Sequence, residues 1–195
     1  MSETQAIDWE GRYRGNTAGW ERRGLNPAFL AWRDQGALAP CRILVPGGGR
    51  SLEPLALAEA GFDVTVVDSA PTATAAQQAL FQRLKLPARA ERADLFAWDP
   101  AAPFDAVYDQ MCLCSLPRGL WPSYARRLHR WLRPDGALFI LFLQSDRSDG
   151  PPFHCAIEAM RRLFSPPAWA WPDTVPAPVA HPSGLAEQPA ILTRL

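Results

Sequence analysis

The chain has 195 residues, enough for one domain with a sizeable buried core. Hydrophobic residues make up 48% and charged residues 21%, and the formal net charge is zero, so the basic excess of a nucleic-acid binder is missing. No apolar run approaches the ~20 residues that cross a bilayer, and residues 1–10 are polar and acidic with no apolar stretch behind a basic start, so a cytoplasmic protein without a secretory signal is expected.

The first 40 residues read as an N-terminal helical cap. After them, short apolar runs alternate with helical stretches, which predicts βαβ units and a mainly parallel sheet. Residues 41–45 form a first strand ending in Pro46-Gly47-Gly48-Gly49. Residues 51–60, rich in Leu, Ala and Glu, form a helix closed by Gly61. Residues 63–67 are β-branched and form a second strand, ending at Asp68. Pro71 opens an alanine- and glutamine-rich helix over residues 71–84.

Residues 89–93 are a weaker strand, followed by Asp94-Leu95-Phe96. Residues 104–108 form a fourth strand that reaches Asp109 and Gln110. Leu120, Tyr124, Leu128, Trp131 and Leu132 repeat at helical spacing. Residues 133–136 form a turn, and residues 137–143 are apolar at every position, the pattern of a strand buried on both faces. A last helix is expected near residues 155–164 and a final strand at residues 190–193. Six prolines within residues 165–182 exclude a long helix there and predict an irregular loop beside a short strand. Cys41, Cys112, Cys114 and Cys155 read as reduced structural thiols, because His129, His154 and His181 are scattered without ligand spacing; no metal is expected.

Three features carry chemistry. Gly47, Gly48 and Gly49 stand between a strand and a helix, where glycine admits a ligand close to the backbone and the helix start offers unpaired N–H groups. A tight turn alone would look the same. Asp68 lies 21 positions after Gly47, at the end of the second strand, the spacing of a carboxylate that accepts the ribose hydroxyls of an adenosine cofactor. Asp94 and Leu95 after the third strand suit an adenine, although Asp94 would serve equally as a turn cap. All of these, and Gln110, fall beyond strand C-terminal ends, where open parallel sheets bind ligands. A dinucleotide fingerprint needs a third glycine at the sixth position; here that position is Leu52, which disfavours a nicotinamide oxidoreductase. S-adenosylmethionine has no phosphates and needs no such glycine.

At these residues the chain resembles the thiopurine S-methyltransferase family of class I S-adenosylmethionine-dependent methyltransferases. The resemblance runs through Trp9, Tyr13, Gly15, Thr17 and Trp20, then Val45-Pro46-Gly47-Gly48-Gly49-Arg50, Asp68, Phe104-Asp105 with Tyr108-Asp109, and Gly150-Pro151-Pro152-Phe153. It implies a single methyltransferase domain, residues 1–195, with a cap or lid over 1–40 and a Rossmann-like core over 41–195. The core would hold a mostly parallel seven-stranded sheet flanked by helices. It implies cofactor contacts at Trp9, Tyr13, Trp20, Gly47, Gly48, Gly49, Asp68, Asp94, Leu95 and Gln110, and substrate contacts at Tyr13, Gln110 and Phe153. Core packing is the other reading of the three aromatics. Gln110 stands where several relatives carry an arginine or an aromatic, and Gly48 where a cysteine is common.

The expected activity is methyl transfer from S-adenosylmethionine to a small thiol, thiopurine or chalcogen compound, by a monomer with no nucleic-acid or membrane partner. Such a nucleophile needs alignment more than a general base. Tyr108 or Asp109 could assist, and no catalytic residue is assigned. The rivals are a methyltransferase for a small oxygen or nitrogen acceptor and a cofactor-binding protein without turnover.

Overall fold

The computed structural model describes residues 7–147 and 149–195, so residues 1–6 of the expected cap lie outside the described residues. The chain divides into two compact units, one of Ile7–Trp98 and one carrying Asp99–Leu195.

The first unit holds helices α1 (Trp9–Arg14) and α2 (Pro27–Asp34), then β1 (Arg42–Pro46), α3 (Glu53–Glu59), β2 (Asp63–Asp68), α4 (Pro71–Leu84) and β3 (Ala88–Arg92). Strands β1, β2 and β3 pair in parallel, with Val45 opposite Val66 and Asp68 opposite Arg92. The helix α4 runs over the predicted residues. Pro71 sets its first turn and Lys85, in the left-handed conformation at φ 53°, ends it. Its buried face is Ala73, Thr74, Gln77 and Phe81, one stripe at helical spacing. Asn26 caps α2 by accepting the Ala28 N–H at 2.9 Å, and its own N–H donates to the buried Glu53 carboxylate at 2.8 Å, which ties the cap to α3.

The second unit holds β4 (Phe104–Gln110), α5 (Cys112–Ser115), a 3-10 turn (Arg118–Leu120), α6 (Trp121–Trp131), β5 (Leu132–Gln144), α7 (Ile157–Leu163), β6 (Trp169–Ala170), β7 (Val179–Ala180) and β8 (Ala186–Arg194). Strands β4 and β5 are parallel, while β8 runs antiparallel to β5, β6 and β7. Residues 138–143 of β5 are all buried, as their unbroken apolar run predicts. On α6, Trp121, Tyr124, Ala125, Leu128 and Trp131 turn inward.

Three expectations are revised in detail. The turn at residues 133–136 lies inside β5: Phe104 pairs with Leu132 and Ala106 with Ala137, so β5 carries three residues more than β4 over that step, with Asp135 at φ 58°. The final strand begins four residues early, at Ala186, because β8 pairs with β5 along eight positions. The proline-rich segment contributes two two-residue strands, β6 and β7, both on β8. None of the four cysteines is in a disulfide, and Cys112, Cys114 and Cys155 are buried. Among the described residues no helix is long and apolar enough to cross a membrane.

Candidate cofactor and acceptor sites

In the first unit, β1 delivers the chain to the glycine turn and β2 delivers Asp68 beside it. Gly47 and Gly49 adopt φ of 57° and 53°, the left-handed region that glycine enters at no steric cost. The Gly47 N–H donates to Val67 O at 2.7 Å, which fastens the turn to the end of β2. Gly48 faces the sheet instead. A Cβ there would lie 2.7 Å from Val66 Cγ1 and 3.2 Å from Val45 Cγ1, so this position is small because two valines press on it.

Asp68 is 8% exposed. Its Oδ2 accepts the Gly49 N–H at 2.9 Å and its Oδ1 accepts the Ala70 N–H at 2.8 Å. Burial pushes its carboxyl up from the ordinary range, and these backbone donors pull it back. The Ser69 backbone also bears on this carboxylate, so Gly49, Ser69 and Ala70 together take up much of its accepting capacity. Asp68 O also accepts the Ala93 N–H at 3.1 Å, bringing the end of β3 to the same corner. There the Asp94 side chain is exposed and its Oδ1 accepts the Phe96 N–H at 2.8 Å, so its carboxylate acts as the turn cap. Leu95 is buried.

Gln77 was not singled out from the sequence. It is 3% exposed, and its Nε2 donates to Gly49 O at 3.2 Å and to Ser51 O at 2.8 Å. It holds the carbonyls of the turn as Asp68 holds an N–H. The signal was a polar residue on the buried stripe of α4.

The N-terminal aromatics form one cluster. Trp9 meets Trp20 edge-on at 5.5 Å between ring centres, and Tyr13 meets Trp20 at 5.8 Å. Tyr13 is buried, and a Cβ on Gly49 would lie 2.2 Å from its hydroxyl oxygen, so the phenol covers the glycine turn directly. Burial, with Asp68 nearby, pushes the Tyr13 hydroxyl well above its usual range, so it remains a hydrogen-bond donor. Arg50 adjoins the turn, lies 5.2 Å from the Tyr13 ring centre, and pairs with Glu21 through two bonds of 2.7 and 2.9 Å. Glu10 accepts from the Thr72 N–H and hydroxyl at 2.9 and 2.6 Å, fastening α1 to the start of α4.

In the second unit, Asp109 and Gln110 end β4. Asp109 is fully buried; its Oδ1 accepts the Cys112 and Leu113 N–H groups at 3.0 and 3.4 Å, and its Oδ2 accepts the Tyr124 hydroxyl at 2.9 Å. Burial pushes this carboxyl up to about 6. It is committed to the start of α5, across Met111 at φ 69°. The half-buried Gln110 accepts the Tyr108 hydroxyl through Oε1 at 2.7 Å. Phe153 is buried, and its N–H donates to Cys114 O at 2.7 Å, which ties it to α5. Burial pushes the Cys155 thiol up to about 12, which leaves no nucleophilic thiolate there. Among the described residues no group of three His, Cys, Asp or Glu could hold a metal.

A glycine turn opened by positive φ, a buried carboxylate on its N–H and an aromatic cover together fit S-adenosylmethionine. The comparisons agree. The family model described as Thiopurine S-methyltransferase matches residues 4–172. The chain is 28% identical to "Probable thiol methyltransferase 2" of Arabidopsis thaliana, over 85% of this chain and 75% of that protein. It is 28% identical to "Thiopurine S-methyltransferase" of Legionella pneumophila (strain Corby), over 71% of each. A crystal structure of Burkholderia thailandensis 1,6-didemethyltoxoflavin-N1-methyltransferase, with 1,6-didemethyltoxoflavin and S-adenosylhomocysteine bound, superposes with TM-score 0.76 at 24% identity, covering 96% of this chain and 85% of that one. The fold is therefore the Rossmann-like α/β fold of class I methyltransferases.

Proposed function

The chain belongs to the thiopurine S-methyltransferase family of S-adenosylmethionine-dependent methyltransferases, and from that premise we propose that it methylates the sulfur of a small thiol or thiopurine, or a chalcogen relative of one. The observation that carries this reading is the bond between the Asp68 carboxylate and the Gly49 N–H, which joins the two sequence-distant parts of a nucleoside site.

S-adenosylmethionine, when bound, supplies an electrophilic methyl on a sulfonium: the acceptor lone pair takes the methyl carbon while the methyl–sulfonium bond breaks and its electron pair returns to the leaving sulfur. Asp68 accepts from the ribose hydroxyls. Gly47 and Gly49 let the methionine part pass close to the backbone, while Gly48 supports the turn from the sheet side. Leu95, with the Asp94 backbone, borders the adenine. Trp9, Tyr13 and Trp20 cover the site and exclude water, held down by the Arg50–Glu21 and Glu10–Thr72 contacts. Gln110 contacts cofactor and acceptor, and Phe153 and Tyr13 contact the acceptor.

No step needs a strong base, which favours sulfur over an oxygen or nitrogen acceptor. The buried Asp109 serves α5, and the thiol proton is lost to solvent. The chain works as a monomer in the cytoplasm, and residues 1–195 act as a single methyltransferase domain. Purified protein with S-adenosylmethionine and a panel of thiols, thiopurines and selenium compounds should release S-adenosylhomocysteine. Tight cofactor binding without turnover across the panel would favour a regulatory, cofactor-binding role.

A further inference from the structure

Arg118, a charged side chain in the unit Asp99–Leu195, is not used by the reading above. Arg118 opens the 3-10 turn directly after α5, and its guanidinium carbon lies 5.1 Å from the centre of the Phe153 ring. The side chain is half-buried, and among the described residues no carboxylate pairs with it. Arg130 and Arg133 of the same unit, both on open surface, do have carboxylates, Asp99 at 2.9 Å and Asp105 at 2.7 Å. A cation drawn partly out of water without a counter-charge is costly to keep. This one is held on a fixed base: Phe153 is buried and bonded to Cys114 O, and α5 is capped by Asp109.

We propose that Arg118 determines acceptor specificity by binding a fixed anionic group, a carboxylate, on the body of a small thiol, with the Phe153 ring behind the guanidinium. This rests on the reading of Phe153 as an acceptor contact. The anion is not the reacting sulfur. Methyl transfer removes the negative charge of a thiolate, so a cation there would hold the ground state more firmly than the transition state and slow the step. A cation on a distant carboxylate keeps its interaction throughout, and so acts through KM more than kcat. The flat guanidinium takes a carboxylate with two parallel bonds, which an ammonium cannot do.

The test compares 3-mercaptopropionate with its methyl ester as acceptors for the wild type, Arg118→Met and Arg118→Lys. The ratio of kcat/KM for acid over ester should fall at least tenfold in the Met variant, mainly through KM, with the Lys variant between. An unmoved ratio would overturn the proposal. A second measurement needs no turnover: calorimetric titration of 3-(methylthio)propionate into protein saturated with S-adenosylhomocysteine. The wild type should bind it at least tenfold more tightly than the Met variant, with matching S-adenosylhomocysteine affinities establishing that the variant is folded. Equal binding of the carboxylate would overturn the role of Arg118. Failure to methylate either thiol would count against the transfer reading alone, because the binding arm still reads Arg118.

Discussion

Asp68 and Gly49, 19 positions apart, are joined by one bond of 2.9 Å, and Tyr13 closes over the same glycine. Gly49 therefore meets three demands: positive φ, an N–H aimed at a carboxylate, and no side chain beneath a phenol. Gly49→Ala should cost about 2 kcal/mol or more, since the left-handed conformation alone costs an L-residue about 1–2 kcal/mol and the phenol must also move. Gly36→Ala is the control: φ is 72° there but a Cβ would meet nothing within 4 Å. Urea unfolding of both variants separates conformation from contact. Equal costs would mean that Tyr13 does not press on the turn.

Gln77 donates to the carbonyls of Gly49, in a buried bond, and of Ser51, in a part-buried one. Gln77→Leu keeps most of the volume and removes both bonds. Stripping donors from buried acceptors costs about 1–3 kcal/mol, so the expected result is that loss together with severalfold weaker S-adenosylhomocysteine binding. Weakened stability with unchanged affinity would separate Gln77 from the site.

The fully buried Asp109 predicts a pH signature. Its carboxyl stands at about 6 when folded, against an ordinary 3.8. Because the folded value is the higher one, its stabilising contribution is complete below about pH 4 and is lost as pH rises through 6. The full difference is about 3 kcal/mol. Asp109→Asn removes this titration and keeps a carbonyl oxygen for the N–H groups of α5. Relative to the wild type, the variant should gain up to about 3 kcal/mol between pH 4 and pH 7. Denaturant unfolding at several pH values reads this directly, and parallel profiles would contradict it.

Much of the architecture was legible because its signals are local. Helix α4 could be bounded at both ends, since Pro71 fixes the first turn and the alanine- and glutamine-rich run ends at Leu84. The run 138–143 could be read as doubly buried because no polar residue interrupts it. The extent of β8 was not legible, because its early residues alternate weakly and are fixed by pairing with β5. The glycine turn and Asp68 stand out in the sequence by residue type and spacing, and the structure joins them by one bond. Gln77 and Arg118 do not stand out, because their contacts lie 26 to 35 positions away and depend on how helix and loop close. For Asp94 the sequence leaves a choice between ligand and cap; its Oδ1 accepts the Phe96 N–H, as a cap does.

The most direct test of the central claim is a calorimetric titration of S-adenosylhomocysteine into the wild type and into Asp68→Ala, with folding of both checked by circular dichroism. Micromolar binding by the wild type, weakened at least tenfold in the folded variant, is the predicted result. Equal affinity in the two proteins, or no binding by the wild type, would contradict the assignment of the Asp68–Gly49 corner as the cofactor anchor.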